Sequence, residues 1–533
     1  MLMVYKTITL TFLWLATLFA GQAQTWTLRQ VQGGSGLEAL DRMRPAANEE
    51  WCLGGRFSSA FFWEGLAFSP RGGQDVFFGL ADAGGSWIWN RQIGSTQDDE
   101  LLALASTRED EVVALGSYRG VLELGDTSLV SPQGNKSLFL CAADADQLNW
   151  ALSLDGRGLK GGGDLRWVGG NLWATCFFGD TLRVRDIRFT ASGDTDALLL
   201  QLSDGGGVVQ ALTFGGTGDV RSRKVLPLPG GDLVLAGVFN DTLRFADTTL
   251  AAGTFDNDIF LLRFSQGGDL RWAKRLGGVL DNEITGLELT PTGALALSGY
   301  FSGLLNFEED IALQSTNAQP DGFVALLDLE GQTLAAMSFG GAGNVRALDL
   351  QLDAAGHLST CGTFNGTLQA DPFQINSSGQ QSGFVLRFRD GLEVDRLLAL
   401  RSDEVVFLSS LGFTAQDELL IGGSFSGTLQ HEGMPLADQF DLLLASTPIA
   451  VAVQEVNPEG KPRLVQTGRS RIQLLDLPHA CDGFQLLDLQ GRVLRSGALP
   501  PGSSWNLSGL PPGGYLLYLQ CGSRHWIYRF VRP

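Results

Sequence analysis

A phrase of the form G-x-F-x-G-x-L returns seven times along the chain, and its spacing constrains the fold more than any other feature. The versions are "GGRFSSAFF" (54–62), "GSYRGVLEL" (116–124), "CFFGDTLRV" (176–184), "GVFNDTLRF" (237–245), "GYFSGLLNF" (299–307), "GTFNGTLQA" (362–370) and "GSFSGTLQH" (423–431). Their aromatic residues are Phe57, Tyr118, Phe178, Phe239, Phe301, Phe364 and Phe425, separated by 61, 60, 61, 62, 63 and 61 residues. A period this constant indicates one supersecondary unit that cannot bury its own apolar face and is repeated until neighbours do so.

Two further phrases keep the same time. Asp75, Ser137, Asp196, Asp258, Asp321, Ser382 and Asp441 each open a short apolar run such as "DIFLLRFS". A later run, often with tryptophan, ends in glycine, as in "LRWAKRLGG" (270–278). With an alternating run ahead of the G-x-F phrase, each unit holds four short strands in meander order. Seventy glycines suit the many tight turns this requires. The fold class expected is all-β: a seven-bladed β-propeller, with a small β-flap in each blade where residues exceed the usual repeat length. Blade seven lacks its Gly-ended strand, and "WTLRQVQGG" (26–34) has that strand's form, so the N-terminal strand is expected to complete the last blade and close the ring. The chain over 24–447 resembles the seven-bladed β-propeller repeat family of exported bacterial proteins.

The first 23 residues carry one lysine, then an apolar run over 7–20, then small residues around Ala23. That is the layout of a secretory signal peptide cleaved after Ala23, the alternative being a buried N-terminal strand. The apolar run is too short to span a bilayer, which takes about 20 residues, so the protein is not expected to be transmembrane. Residues 24–448 hold 28 Lys+Arg against 53 Asp+Glu, a balance of −25, whereas 449–533 hold 9 against 5, a balance of +4. So acidic a body disfavours nucleic acid and anionic membranes as partners. The charge break also marks a domain boundary, with a linker over 448–455.

Residues 456–533 read as short strands between Gly and Pro turns, which suggests a small immunoglobulin-like β-sandwich. "LLDLQGRVLRSG" around Gly491 and Arg492, followed by "LSGLPPGGYLLYL" around Gly514 and Tyr515, resembles the C-terminal sorting domain of the type IX secretion system of Bacteroidetes. The start of this region lacks the family's longer "YPNP" form, and "PHACDG" (478–483) stands where a plain turn is usual. The resemblance implies the type IX machinery as partner, passage through the periplasm and outer membrane, removal of the domain, and a mature protein attached to the surface or released.

Six cysteines in an exported chain raise the question of disulfides. Cys52, Cys176 and Cys361 fall on the second strands of non-adjacent blades and read as buried free thiols. Cys141 is left open. Cys481 and Cys521 share the small domain and are the candidate bridge. Four scattered histidines, with no HExxH, G-x-S-x-G or Cys/His metal spacing, give no catalytic or metal constellation, and no cofactor is implied.

One arrangement of acids stands out. Asp99, Asp219, Asp281 and Asp403 lie in loops that enter successive inner strands, where they are candidate ligand-binding residues forming an acidic rim for cations or a basic ligand. The alternative is that they cap turns. The function expected is a non-catalytic, secreted or cell-surface binding or scaffold module whose ligand is an unidentified glycan or protein. The rival readings are an extracellular polysaccharide lyase or glycosidase using loop carboxylates, and a purely structural surface-layer component.

Overall fold

A computed structural model describes residues 27–429 except 109, 254 and 255, then 436–448, and in the C-terminal region 463–466, 471–475, 483–488, 492–497, 504–506, 510–511, 513–521 and 524–532. The expected signal peptide with Ala23 lies outside the described residues. The chain divides into two compact units, the first ending at Pro448.

The first unit is a seven-bladed β-propeller. Each blade is an antiparallel sheet of inner, second, third and outer strand. Blade one is Glu38–Pro45, Trp51–Phe57, Asp75–Ala81 and Trp87–Ile93; blade two is Glu100–Ser106, Val112–Tyr118, Ser137–Ala143 and Leu148–Asp155. Blade three is Lys160–Val168, Asn171–Phe178, Asp196–Leu202 and Val208–Phe214; blade four is Val220–Pro227, Leu233–Phe239, Asp258–Phe264 and Leu270–Val279. Blade five is Asn282–Leu289, Leu295–Phe301, Asp321–Leu327 and Thr333–Phe339; blade six is Val345–Leu352, Leu358–Phe364, Ser382–Phe388 and Val394–Leu400. Blade seven is Val405–Phe413, Glu418–Thr428 and Leu436–Pro448, with Thr27–Gln32 beside the last in the register Thr27↔Ser446 to Gln32↔Leu442. Neighbouring inner strands pack together all round, including the seventh against the first.

The repeated aromatic residue is what each blade buries. Phe57, Tyr118, Phe178, Phe239, Phe301 and Phe425 are 0% exposed and Phe364 is 1% exposed. Each apolar cluster draws on two adjacent blades. Leu138 and Leu140 of blade two pack with Leu165 and Leu172 of blade three, and Leu40, Leu53 and Phe77 of blade one pack with Leu420, Leu442 and Leu444 of blade seven. Burying each such side chain stabilises by about 1.5–3 kcal/mol, and that gain is available only between blades.

Every inner strand is broken by one irregularity at the same depth, at Asp41, Leu102, Gly163–Asp164, Arg223, Thr285, Leu348 and Ser409. A bulge bends its strand and re-aims the next side chain. It also accounts for the glycine of G-x-F: a Cβ at Gly362 would stand 1.9 Å from the carbonyl oxygen of Arg346 on the bulged strand. In blade three, where Cys176 replaces that glycine, the opposing strand carries Gly161, Gly162 and Gly163 instead.

The Asp-led and Gly-ended phrases are two halves of one contact. The outer-strand glycine lies across from the aspartate that opens the third strand, and a Cβ at Gly340 would sit 2.0 Å from the Asp321 carboxylate. Gly94 with Asp75, Gly215 with Asp196, Gly277 with Asp258 and Gly33 with Asp441 repeat it. Where the third strand opens with serine, the glycine is gone as well: Ser137 faces Asp155, and Ser382 faces Arg401. One space is shared by two side chains, and the sequence fills it from one side or the other.

Between second and third strands, hairpin flaps such as Thr181–Val184 with Ile187–Thr190 project from blades one to six. Each flap of blades two to six meets the outer-strand end of the preceding blade, for example Asp155↔Arg183 and Gly277↔Asn306. These bridges stitch the rim across the joints.

In the C-terminal unit, Arg463–Gln466, Arg471–Leu475 and Ser504–Asn506 form one antiparallel sheet; Val493–Gly497, Gly483–Asp488, Gly513–Cys521 and Arg524–Arg532 form another. No helix among the described residues is long and apolar enough to cross a membrane.

Candidate functional site: the channel and its mouth

Past the bulges, side chains of non-adjacent blades meet on the axis. Arg44 of blade one donates through Nη1 to Asp349 Oδ2 of blade six at 3.0 Å, skipping blade seven. Arg166 of blade three donates through Nη2 to Glu288 Oε1 of blade five at 2.7 Å, skipping blade four, and through Nε to Asp164 Oδ2 at 3.2 Å. An ion pair that skips a blade has to cross the channel. Asp349 also accepts from Leu411 N at 3.1 Å and Ser410 Oγ at 3.2 Å, which brings in blade seven. Arg42 Nε donates to the Leu102 carbonyl of blade two at 2.7 Å.

The electrostatics follow from this crossing. Burial alone would raise the Asp349 carboxyl, but Arg44 and Lys224 outweigh it and hold it below its ordinary value. Burial likewise opposes Asp164, and Arg166, Lys224 and Arg44 hold it down. Burial lowers the Lys224 ammonium against the pull of Asp164 and Asp349. The axis is filled by interlocked fixed charges, which braces the ring from inside.

At the start of the inner strands arginines also lie against aromatic rings. The guanidinium carbons of Arg221 and Arg223 lie 5.5 and 5.7 Å from the Phe177 ring centre, and that of Arg346 lies 5.2 Å from the Tyr300 ring centre. Arg223 is held by Glu283 in a fork at 2.8 and 3.0 Å. Arg346 is exposed and carries no ion pair among the described residues. A guanidinium on a ring face keeps its in-plane donors free for an acidic or polar ligand. Phe177 and Tyr300 are the middle residues of two of the repeated phrases, at an open position of the motif, where an aromatic residue was the only sequence signal.

The four candidate rim acids each have local partners. Asp99 is fully buried and accepts from Ser95 N at 2.5 Å and Ser95 Oγ at 2.9 Å. Asp219 accepts from Thr195 Oγ1 and Arg221 Nη2, both at 2.8 Å. Asp281 accepts from Asn257 N at 3.1 Å and Nδ2 at 2.9 Å, and Asp403 from Thr428 N at 2.5 Å. No three acids or other ligating groups among the described residues come together as a metal site.

Asp99 carries a measurable consequence. Burial pushes its pKa from 3.8 up to about 7, against the Ser95 hydrogen bonds. Between these values the folded state keeps a proton that the unfolded chain has lost, so stability falls as pH rises through about 4 to 7. At about 1.4 kcal/mol per unit, Asp99→Asn should stabilise by on the order of 2–4 kcal/mol at pH 8 and by little at pH 4.5. Unfolding midpoints at the two pH values check this, and an equal shift at both would contradict it.

Of the other candidate residues, Tyr515 is buried and its hydroxyl donates to the Pro511 carbonyl at 2.5 Å. Arg492 is exposed, and Gly514 lies in strand Gly513–Cys521, which also ends on Cys521. Gly491 and Cys481 lie outside the described residues, so the expected bridge to Cys521 does too. Cys52, Cys141, Cys176 and Cys361 are free and buried. Burial pushes the first three thiols up to about 12 and raises that of Cys361.

No family model and no curated protein matches the chain. Among solved structures it is similar to Sqt1 from Chaetomium thermophilum at 13% identity and TM-score 0.37, covering 75% of this chain and 97% of that one. A protein of unknown function from Dyadobacter fermentans matches at 11% identity and TM-score 0.35, covering 65% and 94%. The extracellular domain of a hybrid two-component system from B. thetaiotaomicron matches at 10% identity and TM-score 0.16, covering 95% and 99%. Likenesses this distant say nothing of ligand or activity.

Proposed function

We propose that this chain is an exported, non-catalytic binding module: a seven-bladed propeller closed by its own N-terminal strand, carried out by the type IX system and held at the surface or released. The observation that supports binding is the mouth, where Arg346, exposed against the Tyr300 ring and without an ion-pair partner among the described residues, offers a guanidinium on an otherwise acidic body. Its chemistry suits an extracellular glycan or protein.

Closure is supported by the pairing of Thr27–Gln32 with the last strand of blade seven, by the Gly33–Asp441 contact that repeats the joint of other blades, and by the core shared between blades seven and one. For 456–533, two antiparallel sheets and the Tyr515 hydroxyl turned back onto Pro511 support an immunoglobulin-like sandwich. Gly491, Arg492, Gly514 and Tyr515 are the residues that would be read for sorting, with 1–23 as the signal peptide. Deleting 456–533 in the native host should strand the protein in the periplasm; unchanged export contradicts the sorting role. Glycan and protein arrays probed with the mature chain should show capture without turnover, and product release from a polysaccharide would favour the enzyme reading.

A further inference from the structure

The joint between blades two and three departs from every other joint, and the departures converge on one groove. Here the outer strand ends on Asp155, where blades one, three, four, five and seven put glycine against an opening aspartate. Asp155 grips Arg183 of the next flap in a fork, Nε to Oδ1 at 3.1 Å and Nη2 to Oδ2 at 3.0 Å. Across that flap Arg183 stands directly opposite Arg188. The same position pair in the other flaps is Phe62–Ala67, Glu123–Ser128, Arg244–Thr249, Asn306–Ala312 and Gln369–Gln374. Among the described flaps only this hairpin opposes like charges, an arrangement that weakens a strand pair.

A third arginine is presented from the turn that follows. Arg157 lies between Gly156 and Gly158, at φ of 144° and 78°, a backbone that favours glycine. Beneath it Lys160, 1% exposed, donates through Nζ to the carbonyls of Arg157 at 3.0 Å and Gly158 at 3.2 Å. A buried lysine spent on two turn carbonyls fixes the loop that carries Arg157. Arg157, Arg183 and Arg188 line a groove of about 230 Å³ with Asp155, Thr181 and Asn135. Neither Arg157 nor Arg188 has an ion-pair partner among the described residues.

We propose that this groove is an anion subsite that takes one acidic unit of a glycan, a uronate carboxylate or a sulfate ester, held between Arg157, Arg183 and Arg188. Asp155 already engages Nε and Nη2 of Arg183, so the anion is gripped chiefly by Arg157 and Arg188, whose guanidinium forks fit both acid groups. The groove is smaller than the ~300–1,000 Å³ of pockets that enclose a whole small ligand, so it reads one group on a longer chain. The glycan itself, though not the anion chemistry, rests on the extracellular binding reading.

The test is calorimetry of the full mature chain with polygalacturonate, dextran sulfate, neutral dextran and sodium sulfate. Wild type should bind one acidic polymer, whose identity separates carboxylate from sulfate ester, and should ignore dextran. Arg157→Ala with Arg188→Ala should raise Kd at least tenfold. Arg188→Glu should abolish binding while raising the unfolding temperature of the free protein, because it turns a repulsion into an attraction. Binding that survives these substitutions overturns the subsite, as does binding of sodium sulfate with neither polymer. Capture of neutral dextran alone, or of none of the four, overturns the subsite, and the binding module then stands or falls on the glycan and protein arrays.

Discussion

Asp349→Ala is expected to destabilise the propeller by about 3–5 kcal/mol, the scale for stripping one partner from a buried ion pair. Asp349 is where three blades are tied on the axis, through Arg44 of blade one and Ser410 and Leu411 of blade seven. Its loss leaves the Arg44 guanidinium, 12% exposed, without its carboxylate. Replacing both partners with apolar residues, Arg44→Met with Asp349→Leu, should recover most of the loss, since neither charge then needs a partner. Because Arg44 and Lys224 depress the Asp349 carboxyl, its contribution is present above the unfolded value near 3.8 and is lost as pH falls below it. Denaturant titration of the three proteins at pH 7 decides; a double variant as weak as the single one would show that the crossing pair is not a unit.

Gly340→Asp should be nearly as damaging, and a second substitution should rescue it. Alone it sets a new side chain where the Asp321 carboxylate already lies, 2.0 Å from the nearest Cβ position, and overpacking of this kind costs about 1–3 kcal/mol before the clash of two acids is added. With Asp321→Ser, blade five acquires the pair that blade two already uses, Ser137 facing Asp155. The double variant should be more stable than Gly340→Asp by an interaction of about 1–3 kcal/mol. Simple additivity in thermal unfolding would mean that the shared space is not what couples the two positions.

Much of this architecture is legible in one sequence because a repeat samples its own rules seven times. The buried aromatic of G-x-F, the flaps and the order of strands follow from period and alternation alone. Both the opening aspartates and the closing glycines are visible as phrases, yet their coupling is not, because they lie 19 residues apart (340 − 321) and meet only when the hairpin forms. The axial ion pairs are harder still. Arg42, Asp164, Lys224 and Asp349 each stand just past their strand's bulge or within it, so charges inside the inner strands were the available signal. Which of them pair is set by ring geometry, where blades one and six flank blade seven, and no spacing along the chain carries that. The rim acids show the opposite limit. Their loops are legible, but the direction in which Asp281 turns depends on Asn257, a partner that only the folded joint supplies, whereas Asp99 bonds Ser95 four residues back in its own loop, as a turn cap would.

The binding reading presupposes a ring that holds its shape, and that depends on the first strand joining the last blade. Val31 lies opposite Leu443 in that pairing, and antiparallel neighbours stand about 4.5–5.5 Å apart at Cα, within disulfide reach. The most direct measurement is therefore a cross-link: Val31→Cys with Leu443→Cys in the mature chain, oxidised and run on a non-reducing gel. A monomer of increased mobility that reverts on reduction, with a higher unfolding temperature, is the expected result. Failure of the two cysteines to join in the folded protein, or unchanged stability after deletion of residues 27–34, would contradict a ring closed by its own N-terminal strand.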